Sequence, residues 1–179
     1  MTKFESKKFF RRSFKSNRIA LKPVKKKDAG EIFNLVSGSD LHKFTFVPKQ
    51  YSLQIAKEWI RKQNKFPQTF VIVLTKDKAI IGVIGVVSDD FRKRHWEIAY
   101  WLGQAYRNKR YMREAIDLFI QQAKKYTPIR KISAKVFVGN NRSIKLLQSI
   151  SFIKEGLLRN HFYHNGRMKS IIVFGYCIK

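Results

Sequence analysis

Three stretches of this chain combine residue types and spacings that could do chemistry. In HWEIAYWLG, residues 95 to 103, His95 and Glu97 alternate on one face of an otherwise apolar strand. A carboxylate held there can take a proton from an incoming group. Directly after it, QAYRNKRYM carries Arg107, Lys109 and Arg110 in a loop that runs into a helix. A helix N-terminus presents free N–H groups and the positive end of a dipole, and arginine suits phosphate geometry. The loop reads either as a phosphate cradle without its glycine or as a basic surface made for something else. In GNNRSIKLLQSI, Asn140 is placed to cap a short helix and Ser143 falls in its first turn. His161 and His164 have no cysteine or carboxylate at metal-ligand spacing, so no zinc site is expected. Neither a nucleophile triad nor a Walker loop is present.

Hydrophobic periodicity supplies the elements that must position these groups. IALKPV alternates as a strand; DAGEIFNLV follows as a helix, with Asp28 as N-cap, Glu31 three residues on, and Ile32, Phe33 and Val36 on one face. A second helix starts near Ser52, with Ile55, Ala56, Trp59 and Ile60 at helical spacing. FVIVLT and AIIGVIGVV read as a hairpin of buried strands across Lys76–Asp77–Lys78. On the strand at 95–102, Trp96, Ile98, Tyr100 and Leu102 share one face, and His95, Glu97, Ala99 and Trp101 the other. Met112, Ala115, Ile116, Phe119, Ile120 and Ala123 mark one face of the helix after the basic loop. KISAKVFV is a strand, and two more, near 157–164 and 169–177, pair across the Asn165–Gly166 turn. The order β-α-α-β-β-β-α-β-α-β-β specifies an α/β sandwich with a mixed sheet.

Composition bounds the partners. The chain has 179 residues, enough for one well-buried core but not for two enzyme domains of ordinary size. Its 38 Lys and Arg against 12 acidic residues give a formal charge of +26, which attracts polyanions such as nucleic acid, ribosomes or phosphorylated ligands. The alternative is a lysine-rich background that basifies every exposed face without selecting a partner. Residues 1–17 form a basic arm with interleaved phenylalanines, an RNA-binding or targeting segment or a loosely docked first helix with Phe10 and Phe14 on one face; the main domain spans 18–179. The single cysteine, Cys177, is expected to be a buried thiol in a reducing compartment. Neither a transmembrane run nor a secretory leader is apparent, so the cytoplasm, or else an organelle matrix, is expected.

The element order, together with IGVIGV, WEIAYWLGQAYRNKRYMREAI, NNRSIKLLQSISFIKEGLLRN and NGRMKSIIVFGY, resembles the GNAT superfamily of acetyltransferases, in the branch of the ribosomal-protein N-terminal acetyltransferases. The resemblance runs from about residue 18 to the C-terminus. It implies the GNAT fold, a mixed, mostly antiparallel sheet flanked by helices. It also implies direct transfer of an acetyl group from acetyl-CoA to an amine, often a protein N-terminal α-amine. The partners it implies are that N-terminus or another amine acceptor and, given the charge, the ribosome or rRNA. A non-catalytic GNAT-fold protein that binds rRNA through its basic surface is the alternative.

The resemblance also assigns residues. The family loop, Gln/Arg-x-x-Gly-x-Gly/Ala, binds the CoA pyrophosphate with its backbone; Arg107, Asn108, Lys109, Arg110, Tyr111 and Met112 occupy it, with Arg110 in the central glycine's place. Either Arg110 swings outward and the cations hold the pyrophosphate with their side chains, or the cofactor site is degenerate. Ser151 likewise stands where the family has glycine. Glu97 corresponds to a base that acts through water, or is a strand residue paired with a lysine. Backbone N–H groups around Tyr100, Trp101 and Leu102 would face the thioester oxygen. Leu147 replaces the family's tyrosine acid, leaving Ser143 as the acid or as a capping residue. Asn140 contacts the CoA arm, caps the helix, or does both.

Overall fold

The computed structural model describes residues 8–65, 68–90 and 94–178. Among these, eight strands form one sheet in the order β1-β2-β3-β4-β5-β6-β8-β7. They are β1 (Phe14–Lys15), β2 (Ile19–Pro23), β3 (Thr69–Leu74), β4 (Ile80–Asp90), β5 (His95–Leu102), β6 (Lys131–Phe137), β7 (Ile153–His164) and β8 (Arg167–Cys177). The helices are α1 (Ala29–Val36), α2 (Leu53–Lys65), α3 (Tyr111–Tyr126) and α4 (Asn141–Ser149). Every neighbouring pair is antiparallel except β5 and β6, which run parallel and are joined through α3. Parallel neighbours need such a crossover, whereas antiparallel β3–β4, β4–β5 and β7–β8 are joined by short links and β2–β3 by the segment that carries α1 and α2. This is the expected mixed, mostly antiparallel α/β architecture.

Each face of the sheet buries its own core. Residues 96, 98 and 102 of β5 pack with Phe70, Ile72 and Ile84 against the apolar face of α3, whose expected residues, Met112 through Ala123, are all buried. On the other face, Val71, Val73 and Val83 pack against α1 and α2, with Trp101 at the margin. The period-2 alternation of β5 therefore divides its side chains between two helical layers. Gly82 is required by a close approach: a Cβ there would collide with the Trp101 carbonyl of the paired strand. At the β7–β8 hairpin, Asn165 and Gly166 both take positive φ, 51° and 78°, as a tight two-residue turn demands. The hairpin strands are longer than the periodicity suggested.

Two local expectations fail. Asp28 does not cap α1 with its side chain; its carboxylate accepts the Lys25 N–H at 2.7 Å and closes the 3-10 turn Lys26–Asp28. Glu31 reaches across instead to accept the Ile80 N–H at 3.0 Å, tying α1 to β4. Cys177 is exposed rather than buried: it is the last residue of β8, and its neighbour Ile178 is the one that enters the core.

The N-terminal segment is the larger correction. Residues 1–7, Phe4 among them, lie outside the described residues. From residue 8 onward the arm is part of the fold. Phe9, Phe10 and Phe14 are buried to 1%, 1% and 7% exposure in an aromatic cluster with Phe70, Trp96 and Phe119. Phe14 lies on the short strand β1 rather than on a helix. Such rings carry large apolar area and favour edge-to-face contacts, so they are committed to the core and cannot stack on RNA bases. Phe10→Ala is accordingly expected to cost about 3–5 kcal/mol. Deleting residues 1–17 should abolish or strongly weaken the cooperative urea transition; a truncated chain as stable as the whole would make the arm dispensable.

Candidate active site

The site is organised by a fork in the sheet. β5 and β6 pair only at His95–Lys131, Trp96–Ile132 and Glu97–Ser133. Beyond Glu97 each continues with its outer neighbour, β5 with β4 and β6 with β8. The backbone edges that face each other across the gap therefore lack strand partners, and polar backbone must then be met by water or ligand. A β-bulge on β4 lies opposite the point of divergence, where Val86 pairs with Ile98 and Ser88 with Glu97, leaving Val87 extra. A bulge bends its strand and sharpens the local twist, which helps carry β5 away from β6.

Glu97 is the last paired residue at the fork's base, half-buried on the α1/α2 face. Its Oε2 meets Lys135 Nζ at 2.9 Å. His95, on the same face, places Nε2 2.7 Å from Ser133 Oγ. Burial and the neighbouring Lys131 ammonium hold the His95 imidazole below its ordinary value, so it is neutral around neutral pH. On the opposite face, three residues beyond Glu97, the Tyr100 hydroxyl lies 2.7 Å from Ser143 Oγ. Ser143 donates its backbone N–H to Asn140 Oδ1 at 3.3 Å, the expected N-cap of α4.

The basic loop follows β5. Gly103 leads into the 3-10 turn Gln104–Tyr106, then Asn108 and Arg110 both adopt the left-handed conformation, at φ 63° and 62°. Arg110 is the N-cap of α3, so the backbone at this point does require positive φ; an arginine carries the torsion that glycine would adopt freely. Its side chain, like those of Asn108 and Lys109, is exposed, and it lines a surface pocket with Ser16, Arg18, Arg113 and Glu114. Left-handed residues in such a turn gather successive N–H groups into a cradle, to which the unbonded first N–H groups of α3 add. Met112 does not face the loop but packs in the core.

Arg107 departs from expectation. Its guanidinium does not project into the cradle: Nη1 contacts Asp40 Oδ1 at 2.6 Å and Nε donates to the Leu102 carbonyl at 3.2 Å. It braces the loop against the turn after α1. Burial tends to raise the Asp40 carboxyl, but Arg107 and Arg142 together hold it below the ordinary range. The loop's other flank is fixed by Arg18, which donates to Glu114 Oε2 at 2.8 Å and to the Lys109 carbonyl at 3.2 Å. Ser16 completes this clamp, donating to Glu114 at 2.7 Å.

Ser151 repeats the logic of Arg110. It sits at φ 66° just past α4, where its N–H bonds the Gln148 carbonyl and that of Phe152 bonds Leu147. This is a Schellman termination, whose left-handed residue is usually glycine. Among the described residues no group of three or more His, Cys, Asp and Glu side chains could hold a metal; His164 contacts the His42 carbonyl at 2.8 Å instead. No helix among them is long and apolar enough to cross a membrane.

Sequence reasoning missed Asp40, Lys135, Arg18 and the role of the Tyr100 hydroxyl. Only the last had a local signal, since a tyrosine on a buried strand face needs a hydrogen-bond partner.

Comparison with known proteins matches this geometry. The family model described as Acetyltransferase (GNAT) domain covers residues 18–153. An uncharacterized N-acetyltransferase, p20, from Bacillus licheniformis is 28% identical over 164 residues, spanning 89% of this chain and 92% of that protein. The putative ribosomal N-acetyltransferase YdaF of Bacillus subtilis (strain 168) is 24% identical, over 77% of this chain and 70% of its own. Among solved structures, the microcin C7 self-immunity acetyltransferase MccE, in complex with acetyl-CoA and AMP, superposes with a TM-score of 0.82 at 21% identity, covering 91% of this chain and 94% of that one.

The left-handed torsions carry a stability prediction. Arg110→Gly and Ser151→Gly should each stabilise the fold by about 1 kcal/mol, raising the melting temperature by roughly 2–4 °C. A lower melting temperature for both would mean that the side chains stabilise these turns by more than the torsion costs.

Proposed function

Because this chain belongs to the GNAT acetyltransferase family, and so is an acetyl-CoA-dependent N-acetyltransferase, we propose that it acetylates the α-amine of a protein N-terminus, with Glu97 as base and Ser143 as acid. The observation that carries the reading is the fork between β5 and β6, with Glu97 on one face of the sheet and the Ser143 hydroxyl reached from the other. Transfer from a thioester needs a proton removed from the amine and one delivered to the departing sulfur. Each group must stand on its own side of the reacting carbon. Three residues of strand separate Glu97 from Tyr100, about 10 Å along the chain. That span leaves room for the amine, the acyl carbon and a water between Glu97 and the nitrogen.

The cofactor's pyrophosphate is assigned to the loop at 107–112 and the start of α3. Backbone N–H groups of the cradle supply the donors, while exposed Lys109 and Arg110 add screened positive charge. Arg107 serves by bracing the loop and Met112 by anchoring α3, whereas Asn108 and Tyr111 contribute backbone. Asn140 holds the first turn of α4 and, with it, Ser143. Gly103 N–H bonds the Ile81 carbonyl on β4, so by strand alternation Trp101 N–H also faces β4, and the N–H groups of Tyr100 and Leu102 face the open side of the fork; the oxyanion contact is assigned to Leu102, with Trp101 holding that stretch of β5 to β4.

Lys135 occupies Glu97 in this structure, and its flexible stem allows an incoming substrate ammonium to exchange with it. For the acceptor, the +26 charge disfavours polycationic amines and favours an N-terminus followed by acidic residues, or one presented on a polyanionic particle such as the ribosome. The name of the YdaF relative supports the same class.

Glu97→Gln should lower kcat by roughly two to four orders of magnitude with acetyl-CoA affinity unchanged, as for loss of a positioned base. An unaltered kcat would reduce Glu97 to a partner of Lys135. With matched peptides, an acidic N-terminal sequence should be acetylated faster than a basic one, and the gap should narrow as salt is raised. Preference for spermidine over either peptide would overturn the acceptor assignment.

A further inference from the structure

We propose that Tyr100 is a positioning residue for the acid: its hydroxyl donates to Ser143 Oγ and so aims the serine's own proton into the fork. The inference rests on the reading of Ser143 given above and adds a residue to it. Tyr100 belongs to the part of β5 that has left β6, while Ser143 belongs to α4, which follows β6. Their 2.7 Å contact therefore links the two sides of the fork.

The direction of the bond follows from chemistry. A phenol is a better donor than an alkanol, and a serine oxygen is a better acceptor than a phenolic one, whose lone pair is drawn into the ring. Burial raises the Tyr100 phenol above its ordinary value, outweighing the downward pull of Ser143, so the phenol keeps its proton across the working pH range. It is then a permanent donor and a poor source of protons. Ser143 is held twice, through its N–H by Asn140 Oδ1 and through its Oγ by Tyr100, which leaves its O–H as the free donor of the pair.

In the step itself, the S–H bond of the departing thiol forms as the Ser143 Oγ–H bond breaks. Oγ regains a proton from water in the open fork, the charge being balanced by the protons that the substrate ammonium gives up through Glu97 to solvent, and the phenol retains its own. Without Tyr100, the serine hydroxyl is free to rotate toward α4's own backbone carbonyls or to the phenol's former place. Serine side chains in helices do turn toward nearby backbone in this way.

Tyr100→Phe removes only the hydroxyl and keeps the ring packed on the core, so the variant should melt with the parent protein. The expected result is a fall in kcat of at least tenfold, KM for acetyl-CoA within twofold of the parent, and a double variant with Ser143→Ala no slower than Ser143→Ala alone. Ser143→Thr, which keeps an aimed hydroxyl, should retain sensitivity to Tyr100→Phe. If Ser143→Ala slows the enzyme but Tyr100→Phe does not, this inference fails and the acid assignment stands. Effects that multiply in the double variant would show Tyr100 acting apart from Ser143 and also overturn it. If Ser143→Ala leaves kcat unchanged, the acid assignment fails and the inference with it.

Discussion

The pairing of β5 with β6 over three residues, and no further, is the constraint on which the rest of the structure depends. Parallel strands joined through a packed helix would ordinarily continue their ladder. Here the bulge at Val87 and the crossover through α3 turn β5 aside, while β8 keeps β6 in register along its whole length. The resulting gap has backbone on both walls and a helix N-terminus at its mouth. Such an opening in the middle of a sheet persists only because both layers of core hold the strands apart. Phe70, Ile84 and Ile98 pack with α3 below the fork, and Val73 and Val83 pack with α1 and α2 above it.

Acidic residues are scarce in this chain, and four of those described tie distant elements together. Asp40 and Arg107 join the turn after α1 to the loop before α3, Glu114 and Arg18 join α3 to β2, and Glu31 joins α1 to β4. Lys131 and Glu155 meet at 2.8 Å and hold β6 near β7. In a field of excess positive charge a lone carboxylate draws several cations, so its hydrogen-bond geometry rather than its charge selects the partner. Glu114 illustrates this. Burial would raise its carboxyl, but donors from Ser16 and from the backbone and guanidinium of Arg18 bring it below the ordinary carboxylate range. The Asp40–Arg107 and Arg18–Glu114 contacts fall on the two flanks of one loop, which is therefore held in shape by side chains.

The replacement of glycine at Arg110 and Ser151 separates a backbone requirement from a residue type. Both positions keep the left-handed torsion that glycine would supply. At Arg110 the side chain is exposed, so the torsional cost is retained with no burial to offset it. At Ser151 the Schellman bonds and the buried pair Leu147 and Phe152 offset it. A motif that names only glycine describes the usual solution to the torsion, whereas the fold enforces the torsion itself.

Much of the fold was legible from periodicity and local chemistry alone: the alternation of β5, the apolar face of α3, the Asn140 cap and the Asn165–Gly166 turn. Each depends on residues within a few positions of one another, where backbone geometry alone decides which side chains share a face. The site was legible only as a set of candidates. Which atoms met was decided by tertiary packing: Arg107 with Asp40 at a separation of 67 positions, Tyr100 with Ser143 at 43, and Lys135 with Glu97 across the base of the fork. The commitment of Phe9, Phe10 and Phe14 to the core was hidden for the same reason, since their spacing suited a surface helix and only Phe70, Trp96 and Phe119 made a place for them. Local sequence determined the elements and the backbone turns that feed the loop. The fork, the partners of its charged and hydroxyl groups, and the use of the arm were set by the way two cores fill the opposite faces of one sheet.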